Sequence, residues 1–579
     1  MQQLSSEAEG MSFPPVTAAL PGSVTPTEAT LSLRVDSGGG EGVLASAPVV
    51  AVPTPTLSPT LRERDLVRRD AVSDNSDILG SHLEEAPKAR LDRVLKLLRT
   101  FADSFVFKCL CLVIGGVYVW LDMPVQGVTF FVILCSVLFI LCDSAHPTLL
   151  PFLMISTVPL KEYDSWDEFL PLWKLAPTTL FSLVFHYTRY WKRKDKVTLG
   201  PTFKGLVAIS FALCVGGIGV LTLAEYFNPL TLYYTLGLGV GMTGVYCLFT
   251  KDARGQRDSF VTSVVLWGLF PVYMLAQNYV PNWQRFVDGG YSILDIQMSN
   301  NASTILCITM PLCFYVASKH FTIGVSSALL MTFGLVISSS RSGLVFACVM
   351  YPMCALVFMV VDRRHRVHHA VSLVLIIAVC FVYRAPLLSS LDRLIHSITD
   401  ADIDGEIRAL MVDILWETIG DYWLVGHGIG FTGLLYLPKD GGMYWYHNAA
   451  AQILGSMGVV GCICYTIEMV IRVWLCVIRK GSIFAVAVFG SYGFLTTMSM
   501  ANPGIFCPIP YAMILVHMMA VLEQDTSPRV KGVCGKGVPH STDSVLSVAH
   551  TKGIEGEREI EGSESLGREV EGVSLIETV

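Results

Sequence analysis

The side chains best suited to chemistry in this sequence are one histidine and two arginines near the ends of apolar segments. His447 stands at the mouth of an apolar segment, where an imidazole can take up and release a proton near neutral pH. Arg341 lies in ISSSRSG at the junction of two apolar segments, and Arg408 lies in a stretch with helical periodicity. A planar guanidinium with five N–H donors suits phosphate, so these residues favour a phosphate-bearing substrate at a membrane surface.

Simpler roles compete with each of these assignments. Arg341 can be an interfacial anchor whose guanidinium reaches water along its own aliphatic stem. Arg408 follows Asp404 by one helical turn, and such a surface ion pair contributes little to stability. An isolated interfacial histidine is more often structural than catalytic, so His447 has to be judged by its surroundings.

Two further motifs lie near His447. Gly428 and Gly430 belong to GHGIGF, a turn in which backbone N–H groups could approach a ligand closely. The aromatic residues Tyr444, Trp445 and Tyr446 are best explained as a membrane-interface belt, and the alternative is a platform for sugar faces.

Three histidines, His365, His368 and His369, have a spacing on DRRHRVHH that could bind a metal on a helix. The neighbouring arginines would repel a cation. The stretch is therefore interpreted as a solvated basic loop rather than a metal site.

The elements that must position these residues are membrane helices. The chain has 579 residues, 52% of them hydrophobic and 15% charged, and its mean hydropathy is positive. Apolar runs long enough to cross the bilayer recur between polar breaks, which predicts an all-α polytopic membrane protein of about 12–14 transmembrane helices. The predicted spans are 102–121, 125–142, 146–160, 169–188, 204–225, 231–249, 259–277, 301–318, 321–340, 342–361, 370–387, 449–477, 481–499 and 508–522.

Charge predicts the orientation of these spans, because cytoplasmic loops hold the excess of Lys and Arg. With a cytoplasmic N-terminus, six basic segments fall on the inside: LDRVLKLLR, RYWKRKDK, KDARGQR, Lys319, DRRHR and Arg479-Lys480. The outside then receives the long loops 278–300 and 388–448. The second carries a predicted interfacial helix, 403–419, with an apolar stripe of Ile403, Leu410, Ile414 and Ile419.

Both ends of the chain differ in composition from the middle. Residues 1–86 are rich in Pro, Ser, Thr and Gly, and residues 523–579 are rich in Gly and Glu, so we predict two disordered tails around a membrane domain, 87–522. The net charge of −7 comes from these tails. No basic stripe with interleaved aromatic residues appears, which disfavours nucleic-acid binding. Most cysteines lie in apolar runs, so no disulfide framework is implied.

Taken together, these segments resemble the O-antigen ligase family and its O-antigen polymerase relatives. The resemblance rests on His447-Asn448 followed after nine residues by Gly458-Val459-Val460-Gly461, on SRSG around Arg341, and on the Arg408 helix leading to GHGIGF. It covers roughly residues 300–480. The long tails and the number of spans depart from the family pattern, which has about twelve spans.

The resemblance implies an inverting, metal-independent glycosyltransferase that needs no cofactor and acts on the outer face of a bacterial cytoplasmic (inner) membrane, with both termini cytoplasmic. The donor would be a glycan on a polyprenyl diphosphate such as undecaprenyl diphosphate, as in lipopolysaccharide biosynthesis. His447 would be the general base, and Arg341 and Arg408 would hold the diphosphate. Arg285 in NWQRFVDGG would be a third phosphate contact, and Asn448, Gly428 and Gly430 would contribute to substrate binding.

Several alternatives remain open from the sequence. Within the family, the acceptor is a lipid A core for a ligase, a growing chain for a polymerase or a protein hydroxyl for an oligosaccharyltransferase. From another class, a secondary transporter would also have many spans. It would favour internal repeats and polar residues at mid-membrane, whereas the candidate residues here cluster on one side.

Overall fold

The structure, a computed structural model, describes residues 92–161, 166–194, 199–216, 229–282, 284, 296–338, 340–382, 403–429, 446–479, 481–501 and 509–524. All of them belong to one compact unit, Glu85–Val579. The predicted tails lie outside the described residues, except that Glu523 and Gln524 end the last helix. The tail boundaries therefore stay predictions.

The described residues form helices joined by turns, and none of them lies in a strand, so the predicted all-α fold is confirmed. The α-helices are α1 (Asp92–Ala102), α2 (Phe105–Trp120), α3 (Pro124–Leu141), α4 (Leu149–Thr157), α5 (Ala176–Arg189), α6 (Pro201–Val215), α7 (Pro229–Leu236), α8 (Met242–Thr250), α9 (Arg257–Tyr279), α10 (Ile296–Ala317), α11 (Phe321–Ile337), α12 (Arg341–Val361), α13 (Arg366–Val382), α14 (Ile403–Tyr422), α15 (Ala449–Ile478), α16 (Ile483–Met498) and α17 (Ile509–Gln524).

Six helical segments in the described residues are long and apolar enough to cross a bilayer. They are Pro124–Leu141, Leu232–Thr250, Arg257–Tyr279, Ser299–Ala317, Ser342–Val361 and Ala449–Ile478. A seventh is formed if α1 and α2, which are bent by 64°, make one span, and five shorter apolar helices accompany them. These elements fit a polytopic membrane protein, with six or seven candidate spans among the described residues against the 12–14 predicted for the chain.

The predicted spans 169–188 and 231–249 are among those that differ in local structure from a simple α-helix. Most of the first half of 169–188 is the 3₁₀ helix Trp166–Leu175, which contains Pro171, and α5 begins only at Ala176. Proline removes a backbone donor and disfavours the α-helix interior, which accounts for the tighter turn. In 231–249, α7 and α8 are joined by the π-helical turn Gly237–Gly241, whose glycines allow the wider backbone.

The centre of the bundle is α10. In its span, 83% of the residues are buried, compared with 33% in the spans of α12 and α15, whose remaining apolar side chains are left for lipid. Ile308, Met310 and Phe314 of α10 have no exposed surface. Helix α10 therefore fixes the relative positions of the helices around it.

The described basic segments converge at one end of the bundle. Arg99 of α1 donates to Leu141 O, and its guanidinium lies over the Tyr190 ring. Lys251 lies over the ring of Trp191, and Lys319 pairs with Asp258 at 2.5 Å.

The remaining two basic segments lie at this same end. Phe321, two residues after Lys319, stacks on His365 of DRRHR, and Arg479 donates to the carbonyl of Glu523 at the end of α17. The convergence matches the pattern on which the predicted orientation depends, while the side of the membrane stays a prediction.

Candidate functional site

His447 occupies a strained turn directly before α15. Its backbone φ is 53°, and Asp122 is the only other non-glycine residue with a positive φ in the described part of the chain. Because L-residues disfavour this left-handed region, neighbouring bonds must hold the turn. Ala449 N donates to Ser499 O at 2.9 Å, which ties the turn to the end of α16. The imidazole is half-buried, so it lies at the protein surface without being fully in solvent.

Asn448 is the N-cap of α15. Its side-chain oxygen accepts from Ala450 N at 2.9 Å and Ala451 N at 3.1 Å, and its Nδ2 donates to Met500 O at 3.2 Å. The amide thus satisfies two free N–H groups of the helix start and binds the turn to the neighbouring chain. The structure gives Asn448 a positioning role beside His447, and its contact with substrate stays a prediction.

A buried polar stripe continues from this cap into α15. Gln452 accepts from Tyr446 N at 3.0 Å and donates to Ser456 Oγ at 2.8 Å. Gln452 and Ser456 are buried and follow Asn448 at intervals of four residues, so all three lie on one helix face. Sequence reasoning overlooked Gln452, although this spacing of polar residues in an apolar span was visible.

Gly458 and Gly461, the two glycines that follow His447-Asn448 in the family pattern, lie where α15 is broken. Gly458 has φ 61° and ψ −158°, which is outside the helical region and accessible almost only to glycine. A Cβ there would lie 2.5 Å from the carbonyl carbon of Leu424, and a Cβ on Gly461 would overlap the Met457 side chain. Val459 N and Val460 N donate to the carbonyls of Trp423 and Leu424 instead of to their own helix.

The glycine turn after α14 fills this break in α15. His427 N donates to Gly455 O at 2.8 Å, and Gly428 N donates to Ser456 O at 3.0 Å. The Gly428 amide, which was expected to face a ligand, is thus engaged inside the protein. Gly428 has φ 99°, so its conformation explains the glycine, and its contribution to substrate binding stays a prediction.

Helix α14 confirms the predicted helix 403–419. Met411 and Leu415 are buried with Tyr446 in one cluster, and Ile419 of the predicted stripe packs against it. Leu410 of the stripe is 46% exposed, and the contact of the stripe with the membrane stays a prediction.

Tyr446 is a core residue of this cluster, 1% exposed, so its assignment to an interfacial belt or a sugar platform is wrong. Burial raises the pKa of its hydroxyl. Its ring occupies the space that a side chain on Gly455 would fill. Tyr444 and Trp445 lie outside the described residues.

Arg341 is the first residue of α12, directly after the N-cap Ser340. Ser340 Oγ donates to Asn300 Oδ1 at 2.8 Å, and Ser338 and Ser303 share a hydrogen bond of 2.9 Å. These contacts of Ser338 and Ser340 attach the ISSSRSG segment to the first turns of α10.

The Arg341 helix start and the His447 turn lie at the same end of the bundle. From Ser340 the contacts pass through Asn300 to its neighbour Asn301, whose carbonyl accepts from Tyr511 OH at 3.0 Å. Tyr511 belongs to the first turn of α17, which follows the end of α16 where the His447 turn is attached. Tertiary structure thus brings together two motifs about a hundred residues apart.

The structure describes the remaining candidate residues only in part. Arg408 lies in the second turn of α14, the helix that packs against Tyr446, so its backbone belongs to the same region. Arg285 and Gly430 lie outside the described residues. Of the histidines weighed for metal, His365 instead pairs with Asp362 at 2.9 Å at the opposite end of the bundle, and no group of metal-binding side chains occurs in the described residues.

The apolar helices indicate a multi-pass membrane protein, and the candidate site lies at one end of its helix bundle. Residues 326–466 match the family model described as O-antigen ligase. Residues 326–466 therefore form an O-antigen ligase-like domain, which confirms the predicted resemblance over that part of the chain. Searches of curated proteins and of solved structures gave no match.

The matched range runs from α11 into α15 and includes Arg341, Arg408, Gly428, His447 and Asn448, while Arg285 precedes it. The domain indicates a glycosyltransferase-type function in a membrane, with a lipid-linked glycan and an acceptor as partners.

Proposed function

We propose that this protein transfers a glycan from a polyprenyl-diphosphate donor to an acceptor hydroxyl at the membrane face that carries His447. One observation carries the proposal most directly. The start of α12 with Arg341 and the turn with His447 lie at one end of the bundle, and the basic segments lie at the other. This shared position of two distant motifs supports a role for both residues at one substrate.

In the proposed reaction, an imidazole nitrogen of His447 accepts the proton of the acceptor hydroxyl. The acceptor oxygen forms a bond to the anomeric carbon as the bond from that carbon to the diphosphate oxygen breaks, so the configuration inverts. The diphosphate leaves with the bonding electrons. Arg341 and Arg408 stabilise this growing negative charge, a task that requires no metal ion.

The positions of the residues suit these roles. His447 is half-buried in a strained turn that Asn448 and Ala449 attach to the end of α16, so the backbone that carries its ring is held in place. A general base has to be held in this way, because its contribution depends on its distance to the transferred proton.

The test is a transfer assay with purified protein, a polyprenyl-diphosphate oligosaccharide and three acceptors: a lipid A core, a free glycan and a hydroxyl-bearing peptide. We expect transfer to one acceptor class, with a rate that His447→Ala lowers by about 10²- to 10⁴-fold. The matched control is His320→Ala, which removes an exposed histidine at the opposite end of the bundle and should leave the rate unchanged. Equal rates for wild type and His447→Ala would remove His447 from the mechanism.

A further inference from the structure

A polar cavity of about 1040 Å³ lies at the end of the bundle opposite His447. It is enclosed by the turn after α5, the turn after α8, the start of α6 and the last turns of α15 and α17. Helix α15 shows that the two sites are far apart, since His447 precedes its first residue and Ile478, its last residue, lines the cavity. The cavity therefore belongs to the other membrane surface.

Positive charge dominates the lining of this cavity. Five cationic residues line it (Arg193, Lys194, Lys251, Arg254 and Arg479), compared with the acids Asp143, Asp252 and Glu523. Each acid already has partners within the protein. Asp252 pairs with Lys194, Asp143 lies 3.7 Å from Arg99, and Glu523 accepts from Thr202 N at 2.7 Å and from Tyr246 OH at 2.5 Å.

Two arginines of the lining remain available to a ligand. Arg193 and Arg254 are exposed, and within the described part of the chain neither has an ion-pair partner. They come from the turn after α5 and the turn after α8, so they approach the cavity from two different elements. Two guanidinium groups around one cavity suit a phosphate-bearing ligand.

One wall of the cavity, formed by Trp474, Leu475 and Ile478, is mainly apolar and continues onto the outer surface of the bundle. Trp474 of α15 lines the cavity and is 51% exposed. Val470 and Val477 lie on the same helix face and are also more than half exposed. On a helix of a membrane bundle, such a face contacts acyl chains, and tryptophan is favoured where the chains meet the headgroups. The cavity therefore opens both to water and to lipid.

We propose that this cavity binds the headgroup of an anionic phospholipid. Its phosphate lies between Arg193 and Arg254, and an acyl chain runs along Trp474 and Val477. Basic pockets between membrane helices have the charge and position for such lipids. A free anion would use the arginines alone, so the apolar wall favours a lipid.

The test measures lipid retained by the full-length protein in nanodiscs of phosphatidylcholine with a graded fraction of phosphatidylglycerol. We expect selective retention of phosphatidylglycerol. The double variant Arg193→Gln/Arg254→Gln should weaken it by about 25-fold, since each interfacial arginine contributes about a factor of five. The matched control, Arg363→Gln/Arg364→Gln, removes the same charge from exposed arginines at the same end but outside the cavity, and should retain the lipid.

Other results would overturn the proposal. Equal loss in both double variants would mean general surface attraction, and displacement by soluble glycerophosphate would reassign the cavity to a free anion. Residues 553–579 carry eight Glu and two Arg, and the chain leaves the structure at Gln524, which lines the cavity. Cross-links between these residues and the cavity, with no retained lipid, would therefore assign the cavity to the acidic end of the chain itself.

Discussion

The left-handed backbone of His447 costs a non-glycine residue about 1–2 kcal/mol, yet the chain places a histidine there. Glycine would adopt the same conformation without this cost. The side chain is therefore retained for what it does, which is the expected situation at a functional site. The roles of Asn448 and of the two arginines are also tested by single substitutions.

Asn448 should orient His447 through its cap rather than through substrate. Asn448→Ala removes two accepted N–H bonds and the bond to Met500, so we expect a loss of about 1–2 kcal/mol in the free energy of unfolding and a fall in transfer rate. Asn448→Asp keeps the cap but loses the donation to Met500, and should recover most of the stability. Thermal unfolding and transfer assays on both variants measure these effects. Unchanged stability of Asn448→Ala would contradict the positioning role.

Lysine variants of Arg341 and Arg408 distinguish a need for positive charge from a need for the planar guanidinium group. Replacement of either with Lys keeps the positive charge but removes the planar fork, so a diphosphate clamp should lose about one charge-assisted hydrogen bond. That loss corresponds to a decrease of about 10- to 100-fold in rate. Because the departing diphosphate uses the clamp more strongly than the bound donor does, the maximal rate should fall along with donor affinity.

The measurement for the arginines is the transfer rate at saturating donor on matched amounts of folded protein. If Arg341 and Arg408 are interfacial anchors, Lys serves nearly as well because its stem also reaches the interface. Near-normal rates for both Lys variants would exclude the clamp even if His447 were confirmed as the base.

At the scale of elements, the main feature is the break in α15, which lets the turn after α14 insert its backbone. Carbonyls of Gly455 and Ser456 accept from this turn, and the amides of Val459 and Val460 donate to it. The glycines of the motif are therefore structural. They join the helix that carries Arg408 to the helix that begins after His447.

Gly458→Ala should destabilise the protein and disturb this junction. The backbone conformation alone costs alanine about 1–3 kcal/mol, and the new Cβ would meet the Leu424 carbonyl. The control is Gly493→Ala in α16, where a Cβ meets nothing within 4 Å and alanine is the better helix former by about 0.5–1 kcal/mol. The melting temperature and the transfer rate should be lower for Gly458→Ala than for Gly493→Ala. Similar values would show that the break is not required.

On the scale of the whole molecule, the positive charge of the described basic segments lies away from the candidate site. The described basic segments meet at one end of the bundle, and the starts of α12 and α15 lie at the other. The proposed phosphate-bearing donor would bind at the end opposite the described basic segments. There the two arginines of the site motifs would supply positive charge.

Topology can be measured by cysteine labelling with a membrane-impermeant maleimide in intact cells, with the parent chain as background. Arg254→Cys and Arg363→Cys are exposed positions in basic loops and should be labelled only after the membrane is opened. Arg408→Cys and His447→Cys should be labelled from outside. Labelling of position 408 only from the cytoplasm would place the site in the wrong compartment for the proposed reaction.

Hydrophobicity and motif spacing alone determined the all-α membrane fold, the helix around Arg408, the clustering of the described basic segments and the resemblance to the O-antigen ligase family over residues 326–466. These features depend on local periodicity, on the length of apolar runs and on residue identity, which can be read along the chain. The packing of Met411 and Leu415 of α14 against Tyr446 was not predicted, because burial on one side of a helix depends on its neighbours, here Tyr446 and α15.

Only the tertiary structure decided what the motif glycines do and which residues support His447. Gly458 and Gly428 are explained by contacts between segments about thirty residues apart, and the link from Ser340 through Asn300 and Tyr511 joins three different helices. Hydrogen bonds of this kind depend on how whole helices pack, and a pattern along one helix contains no information about the partner that another helix will present.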